Sequence, residues 1–333
     1  MELTRRDLLK GAAALGAAAA VPVTAGGPAL AQTTQKKELV VGQGGDVAFF
    51  DPHMSTSSNE IRWSFNIFDN LVSRHPDGKL YPGLATEWKL QGQTTWVFKL
   101  RQGVKYHNGD PFSSADAKAS IERTYDPKNK LRVSTIFLTV DRIEAPDAAT
   151  LVVHTKKPDP LLPARLAFYG GQIVPKKYLE SVGPETFDRK PVGTGPLRFV
   201  SWTKDDRLVL EANPSYWGGK PDLDRLVVRP IPELAARVAA VLKGEVDVIT
   251  QVPPDQLDRI NANASTRSVG ALYAGLYVLA VNSKNPPLDK PLVKQALALA
   301  IDREAIVKEL WRGRGIVPSG PIAKGDNHFD ASL

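Results

Sequence analysis

The stretch Leu226-Val227-Val228-Arg229, then Pro232-Glu233-Leu234-Ala235-Ala236-Arg237-Val238-Ala239-Ala240-Val241-Leu242-Lys243-Gly244, then Val246-Asp247-Val248-Ile249, decides the fold class. Its outer pieces are short, β-branched apolar runs, the composition of buried strands. Between them Leu234, Val238, Val241 and Leu242 stand at i, i+4, i+7 and i+8, one stripe of a helix that Pro232 starts and Gly244 ends. This is a βαβ unit, and parallel strands need such a crossover. The expectation is an α/β fold in which at least one lobe holds a mostly parallel sheet covered by helices.

Outward from this unit, Leu197 to Trp202 and Leu208 to Ala212 alternate as strands, and Glu38 to Gly42 is a buried strand stopped by glycines. Glu87 to Gln91 and Thr94 to Leu100 read as a hairpin joined at Gly92-Gln93, with Trp96, Phe98 and Leu100 on one face. Val140 to Glu144 and Leu151 to Thr155 read as a second hairpin. Ile61, Phe65, Phe68 and Val72 fall on one helical stripe. Ser113 to Asp116 reads as a helix N-terminus for the face Ala117, Ile121 and Tyr125, because a serine hydroxyl accepts from the free amides of the first turn. Tyr273 to Asn282 is expected as a long strand. Asp289 to Pro291 starts a helix with Leu292, Ala296, Leu299 and Ala300 on one face, and Asp302 caps a further helix that turns Ile306, Leu310 and Trp311 inward.

The 333 residues suffice for two domains, with 42% hydrophobic and 24% charged residues, the balance of an ordinary folded protein. The net charge of +7 is spread without a run of five cations, so a nucleic-acid partner is not expected. With no cysteine, thiol catalysis, disulfides and thiolate metal sites are excluded.

The first thirty-one residues read as an export signal: Thr4-Arg5-Arg6-Asp7-Leu8-Leu9-Lys10, a mild apolar stretch from Gly11 to Ala25, then Ala29-Leu30-Ala31. The arginine pair resembles the twin-arginine signal, whose machinery carries proteins across the bacterial inner membrane already folded. Removal after Ala31 takes away three cations and two anions, leaving a charge of +6. The protein is then expected in the periplasm, free of the membrane.

No Gly-x-Ser-x-Gly elbow, His-Glu-x-x-His or phosphate loop is present. Gly42-Gln43-Gly44-Gly45-Asp46-Val47 puts valine where a dinucleotide fingerprint needs a third small residue. The five histidines are scattered, so neither a metal nor a cofactor is expected. Asp51-Pro52-His53 is a close acid and histidine pair; a turn or a secreted hydrolase's catalytic pair both remain open for it. Phe49, Phe50, Trp63, Tyr106, Tyr169, Tyr273 and Tyr277 lie next to loops, where core packing and lining of a ligand cleft are alternatives.

Six stretches in order carry a resemblance. They are Asp46 to His53, Trp96 to Phe112, Val192-Gly193-Thr194-Gly195-Pro196, Asn213-Pro214-Ser215-Tyr216-Trp217, Lys243 to Val248, and Val293 to Leu297 through Ala300-Ile301-Asp302-Arg303. Together they resemble the family 5 extracellular solute-binding proteins, the peptide, oligopeptide and nickel class that serves ABC importers. The resemblance implies a two-lobed type II periplasmic-binding fold with an extra α+β subdomain on lobe I. Residues 32–50 and 168–270 would form lobe I, 51–167 the subdomain, and 271–333 the start of a lobe II cut short at Leu333, either as a fragment or as a truncated product. The implied function is capture of a small solute, peptide foremost, between hinged lobes, for delivery by a monomer to an ABC permease. A nickel chelate, opine, sugar or haem are alternatives within the same fold, and a degenerate protein without a transport role is a third reading. The resemblance places Asp46, Val47, Ala48 and Phe49 at the ligand on the loop after the first strand, and Tyr273 and Tyr277 on the way into lobe II. Gly193, Gly195, Tyr216 and Trp217 would serve turns and packing. No catalytic residue is implied.

Overall fold

The computed structural model describes residues 37–54, 56–270 and 275–320. The signal reading over residues 1–31 and Tyr273 lie outside the described residues. The chain runs β1 (Glu38–Gln43), α1 (Ser58–Ile67), β2 (Val72–Arg74), β3 (Leu80–Pro82), β4 (Ala85–Gln91), β5 (Thr95–Leu100), α2 (Ser114–Tyr125), β6 (Val140–Asp147), β7 (Thr150–Thr155), α3 (Leu162–Leu166), α4 (Lys176–Arg189), β8 (Leu197–Thr203), β9 (Arg207–Ala212), β10 (Arg225–Pro230), α5 (Leu234–Leu242), β11 (Val248–Ile249), α6 (Leu257–Asn261) and α7 (Pro291–Ala300).

The βαβ reading is realised by β10, α5 and β11, which lie on either side of β1 and parallel to it, with Val41 opposite both Val228 and Val248. The full sheet has the order β11-β1-β10-β9-β8, and β9 pairs antiparallel with both of its neighbours. It is therefore mixed rather than mostly parallel. The β8–β9 hairpin needs no crossover, so it adds an antiparallel edge that the alternation of its own residues cannot announce.

The two other hairpins join into a four-stranded antiparallel sheet, β4-β5-β7-β6. Phe98 and Leu100 turn inward while Lys99 points out, the period-2 pattern of a half-buried strand. Helix α2 covers this sheet with Ala117 and Ile121 buried. It begins with a reciprocal cap in which the Ser113 amide donates to Asp116 Oδ2 at 2.9 Å. One apolar core forms here, including Phe98, Ile121, Phe137 and Leu151. A second forms on the five-stranded sheet from Val41, Trp63, Ile67, Phe68, Phe187, Leu210 and Val228. Helix α1 thus packs on the five-stranded sheet, although it lies in the stretch expected to belong to the subdomain.

Four further expectations are corrected. Helix α1 buries Glu60, Trp63, Ser64 and Ile67, not the stripe through Ile61 and Phe65; Phe65 is 38% exposed. The helix turns this way because the Trp63 indole N–H donates to Gln43 Oε1 at 3.0 Å inside the core, a polar contact that an apolar stripe does not reveal. Residues 275–282 form no strand, since among the described residues no strand runs beside them to complete a ladder. Helix α7 forms where expected, but Leu292 and Leu299 are 77% and 86% exposed, because no described element covers that face. The same holds beyond it: Asp302 caps its helix by accepting from Ala305 N at 2.8 Å, yet Ile306 and Leu310 stay exposed rather than inward and Trp311 is only half-buried.

Candidate functional site

The loop from Gln43 to Asp51 leaves the C-terminal end of β1, the side of a parallel sheet where α/β folds open to ligands. Several distant side chains hold it. Gln43 is fully buried; besides accepting from Trp63 it donates through Nε2 to the Gly45 carbonyl at 2.7 Å. Asp46 accepts from the Val47 amide at 2.7 Å, the Trp202 indole at 3.1 Å and the Asp205 amide at 2.8 Å, tying the loop to the β8–β9 turn. The Ala48 amide donates to Glu60 Oε1 at 3.2 Å. The Phe50 and Asp51 amides both donate to Asp188 Oδ1 on α4, at 2.8 and 2.9 Å.

These anchors sort the loop into inner and outer residues. Val47 and Phe50 are buried, and Phe50 meets Phe199 and Trp202 edge to face with centroids 5.3 and 5.6 Å apart. Ala48 is exposed and Phe49 half-buried, and among the described residues neither the Ala48 carbonyl nor the Phe49 amide has a hydrogen-bond partner. A fixed, exposed backbone edge with free donors and acceptors can pair with an extended molecule. The loop thus brings Asp46 to Phe49 together. Val47 serves the core, and the Asp46 carboxylate is already engaged on both oxygens. Tyr277 stands apart, 86% exposed, with its ring 5.0 Å from that of Trp311.

Asp51 and His53 do not form an accessible acid–base pair. Both are buried, with relative exposures of 2% and 0%. Arg123 from α2 donates to both Asp51 oxygens, one of them at 2.9 Å, and its Nη1 stands 3.0 Å from His53 Nδ1. His53 Nε2 lies 2.9 Å from the Gln172 carbonyl, so the ring is neutral with its proton on Nε2. Burial pushes the His53 pKa down to about 4, against the charge of Asp51. Burial also pushes the Asp51 carboxyl up, but the hydrogen bonds and charge of Arg123 outweigh it and hold it below the usual carboxylate range.

The glycine and tryptophan stretches converge on a half-buried carboxylate. Asp69 accepts from Thr194 Oγ1 at 2.9 Å, Tyr216 Oη at 3.1 Å and Trp217 Nε1 at 2.8 Å, and burial raises its pKa in spite of these donors. Beside it His107 Nε2 donates to the Gly195 carbonyl at 3.0 Å while the Gly193 amide donates to His107 Nδ1 at 3.3 Å. A Cβ on Gly193 would lie 2.0 Å from the Ile67 carbonyl oxygen, so only glycine permits this approach.

Gln43, Glu60, Trp202 and Asp188 anchor the loop without a local sequence signal. Arg132 is exposed and places its guanidinium 5.2 Å from the centre of the Phe49 ring. Only its flanks gave a signal: Leu131 and Val133 are apolar, and both are buried. Among the described residues no group of three or more acidic or histidine side chains is placed to hold a metal, and no helix is long and apolar enough to cross a membrane.

The model of the bacterial extracellular solute-binding proteins, family 5 middle, matches residues 79–333, and that of the twin-arginine translocation signal sequence matches residues 2–22. The glutathione-binding protein of Pectobacterium atrosepticum is 29% identical over 299 residues, 89% of this chain and 57% of its own length. Among solved structures, a binding protein from A. tumefaciens R10 in complex with mannopinic acid shares 32% identity at a TM-score of 0.78, over 86% of this chain and 60% of its own. The oligopeptide-binding protein AppA of Bacillus subtilis, in complex with a nonapeptide, shares 25% identity at a TM-score of 0.80, over 89% of this chain and 60% of its own. The chain therefore spans less than two thirds of the length of the proteins it matches.

Proposed function

Since the chain belongs to the family 5 bacterial extracellular solute-binding proteins, we propose that it captures a peptide or a related small solute in the periplasm and delivers it to an ABC permease of the inner membrane. The twin-arginine signal marks it for export, and cleavage after Ala31 releases a monomer. The fold is α/β of the type II periplasmic-binding kind. Within it, residues 32–50 and 168–270 form lobe I together with helix α1, the rest of 51–167 forms the subdomain, and lobe II begins at 271. Asp46, Val47, Ala48 and Phe49 make the lobe I side of the site, with Asp46 and Val47 holding the loop while Ala48 and Phe49 meet the solute. Tyr273 and Tyr277 belong to the opposite side.

The observation that carries this reading is the anchored loop at the C-terminal end of β1, whose Ala48 carbonyl and Phe49 amide have no hydrogen-bond partner among the described residues. An extended peptide satisfies such groups by adding a strand, which gives affinity through main-chain bonds. The reading involves no catalysis, and the Asp51 and His53 pair is sealed under Arg123. Glutathione, mannopinic acid and a nonapeptide, named for the matched proteins, are all amino-acid derivatives, which supports a solute of that kind here.

The test is mass spectrometry of small molecules released by denaturing the chain after purification from a periplasmic extract. A peptide or amino-acid conjugate released by the wild type, and depleted when Phe49 is replaced by Ala, bears the reading out. Release of nothing beyond buffer, together with no heat on titration of a mixed tripeptide pool, contradicts it.

A further inference from the structure

Arg132 is a cation to which no described residue supplies an anion. The residues on either side of it, Leu131 and Val133, are 5% and 1% exposed, so the backbone is pinned while the side chain projects outward. Behind them Gly170 packs so closely that a Cβ there would come within 3.0 Å of Val133 Cβ, which clamps the turn to the segment following α3. The guanidinium rests over the Phe49 ring at 5.2 Å, and among the described residues no carboxylate lies within ion-pairing distance of it. A phenyl ring offers the guanidinium no lone-pair acceptor, so the N–H fork keeps its capacity to meet a carboxylate with two parallel bonds.

Phe49 is the outer residue of the loop whose free amide borders the proposed solute position. A cation set over that ring therefore lies at the rim of the same position, contributed by the chain segment between α2 and β6 rather than by the five-stranded sheet. We infer that Arg132, held on Phe49, receives a carboxylate of the solute and selects for acidic solutes over neutral ones of the same size. This inference rests on the proposed solute-binding reading. In it Phe49 has two tasks: its amide meets the main chain of the solute, and its ring orients the guanidinium. Arg132→Lys keeps the charge but loses the planar fork, so it retains only part of the selectivity.

The full chain, labelled with 15N, is titrated with the dipeptide Ala-Glu and separately with Ala-Gln amide, which matches it in size but carries no carboxylate. The Arg132 Nε–H signal is assigned by its absence from Arg132→Lys. The expected result is a saturating shift of that signal with Ala-Glu alone, with affinity for Ala-Glu at least tenfold above that for the amide. In Arg132→Ala this preference falls to within twofold, while the midpoint of thermal unfolding stays unchanged because the side chain is exposed. If backbone amides near Phe49 shift equally with both probes while Arg132 Nε–H stays still, the inference is overturned and solute binding stands. If neither probe shifts any amide from Gly44 to Phe49, both fail.

Discussion

Arg123 grips both carboxylate oxygens of Asp51, joining helix α2 of the four-stranded layer to the loop that leaves β1. The pair is largely buried, with side-chain exposures of 12% and 2%. Removing one partner of such a pair strands the other charge, at about 3–5 kcal/mol. Arg123→Ala is therefore expected to lower unfolding stability in urea by about that amount. It should also free the His53 ring, which loses the donor to its Nδ1. A loss below about 1 kcal/mol would show that the contact does not join the two layers.

His107 gives the cleanest pH dependence, because its partners are backbone groups. Burial pushes its pKa down to about 4. In the unfolded chain the ring titrates near 6.5, so above that pH both states are neutral and the group is silent. As pH falls from about 6.5 toward about 4 the unfolded state takes up a proton that the native state refuses, and stability drops with it. A shift of this size corresponds to about 3 kcal/mol. His53 adds a loss of the same sign over the same window. Urea melts from pH 7 to pH 4.5 should show this decline. His107→Gln, whose amide still donates and accepts, should reduce it; an unchanged slope would mean that His107 does not titrate differently in the two states.

Gly193 and Gly45 separate a backbone clash from a side-chain clash. A Cβ at 193 meets the Ile67 carbonyl oxygen at 2.0 Å, whereas one at 45 meets the end of the Asn59 side chain at 2.7 Å. Backbone cannot yield without shifting α1, but an amide side chain rotates away. Gly193→Ala is expected to cost about 3 kcal/mol or more, and Gly45→Ala less than about 1 kcal/mol. Thermal unfolding of the two variants checks the order; the reverse order would contradict the packing.

How far residues alone reach is visible in these elements. The strand Leu226 to Arg229, helix α5 and the following strand announce themselves, because apolar period and turn residues are local properties. The inward face of α1 does not, since it is set by an indole bonded to Gln43, twenty residues earlier. The same holds at the site. The loop after β1 was recognisable by resemblance, but Asp46 is engaged by Trp202 and Asp205, more than 150 residues away, and no local pattern encodes that. Arg132 escaped because a lone cation between two apolar residues reads as solvated surface until Phe49 is seen beneath it.

Asp46 is expected to act on binding through the loop it holds. Asp46→Ala removes the acceptor of the Trp202 and Asp205 donors, at about 2 kcal/mol of stability. Because an unanchored loop must be ordered by the solute, affinity for a peptide should fall severalfold in calorimetry. Affinity equal to the wild type would place the solute away from this loop.

The most direct measurement is the backbone amide spectrum of the 15N-labelled chain during titration with a pool of tripeptides. Solute capture on lobe I requires the largest shifts at Ala48 and Phe49, with the buried amides of β9 and β10 unmoved. Shifts confined to other parts of the chain, or none at all, would contradict the solute-binding role assigned to this loop.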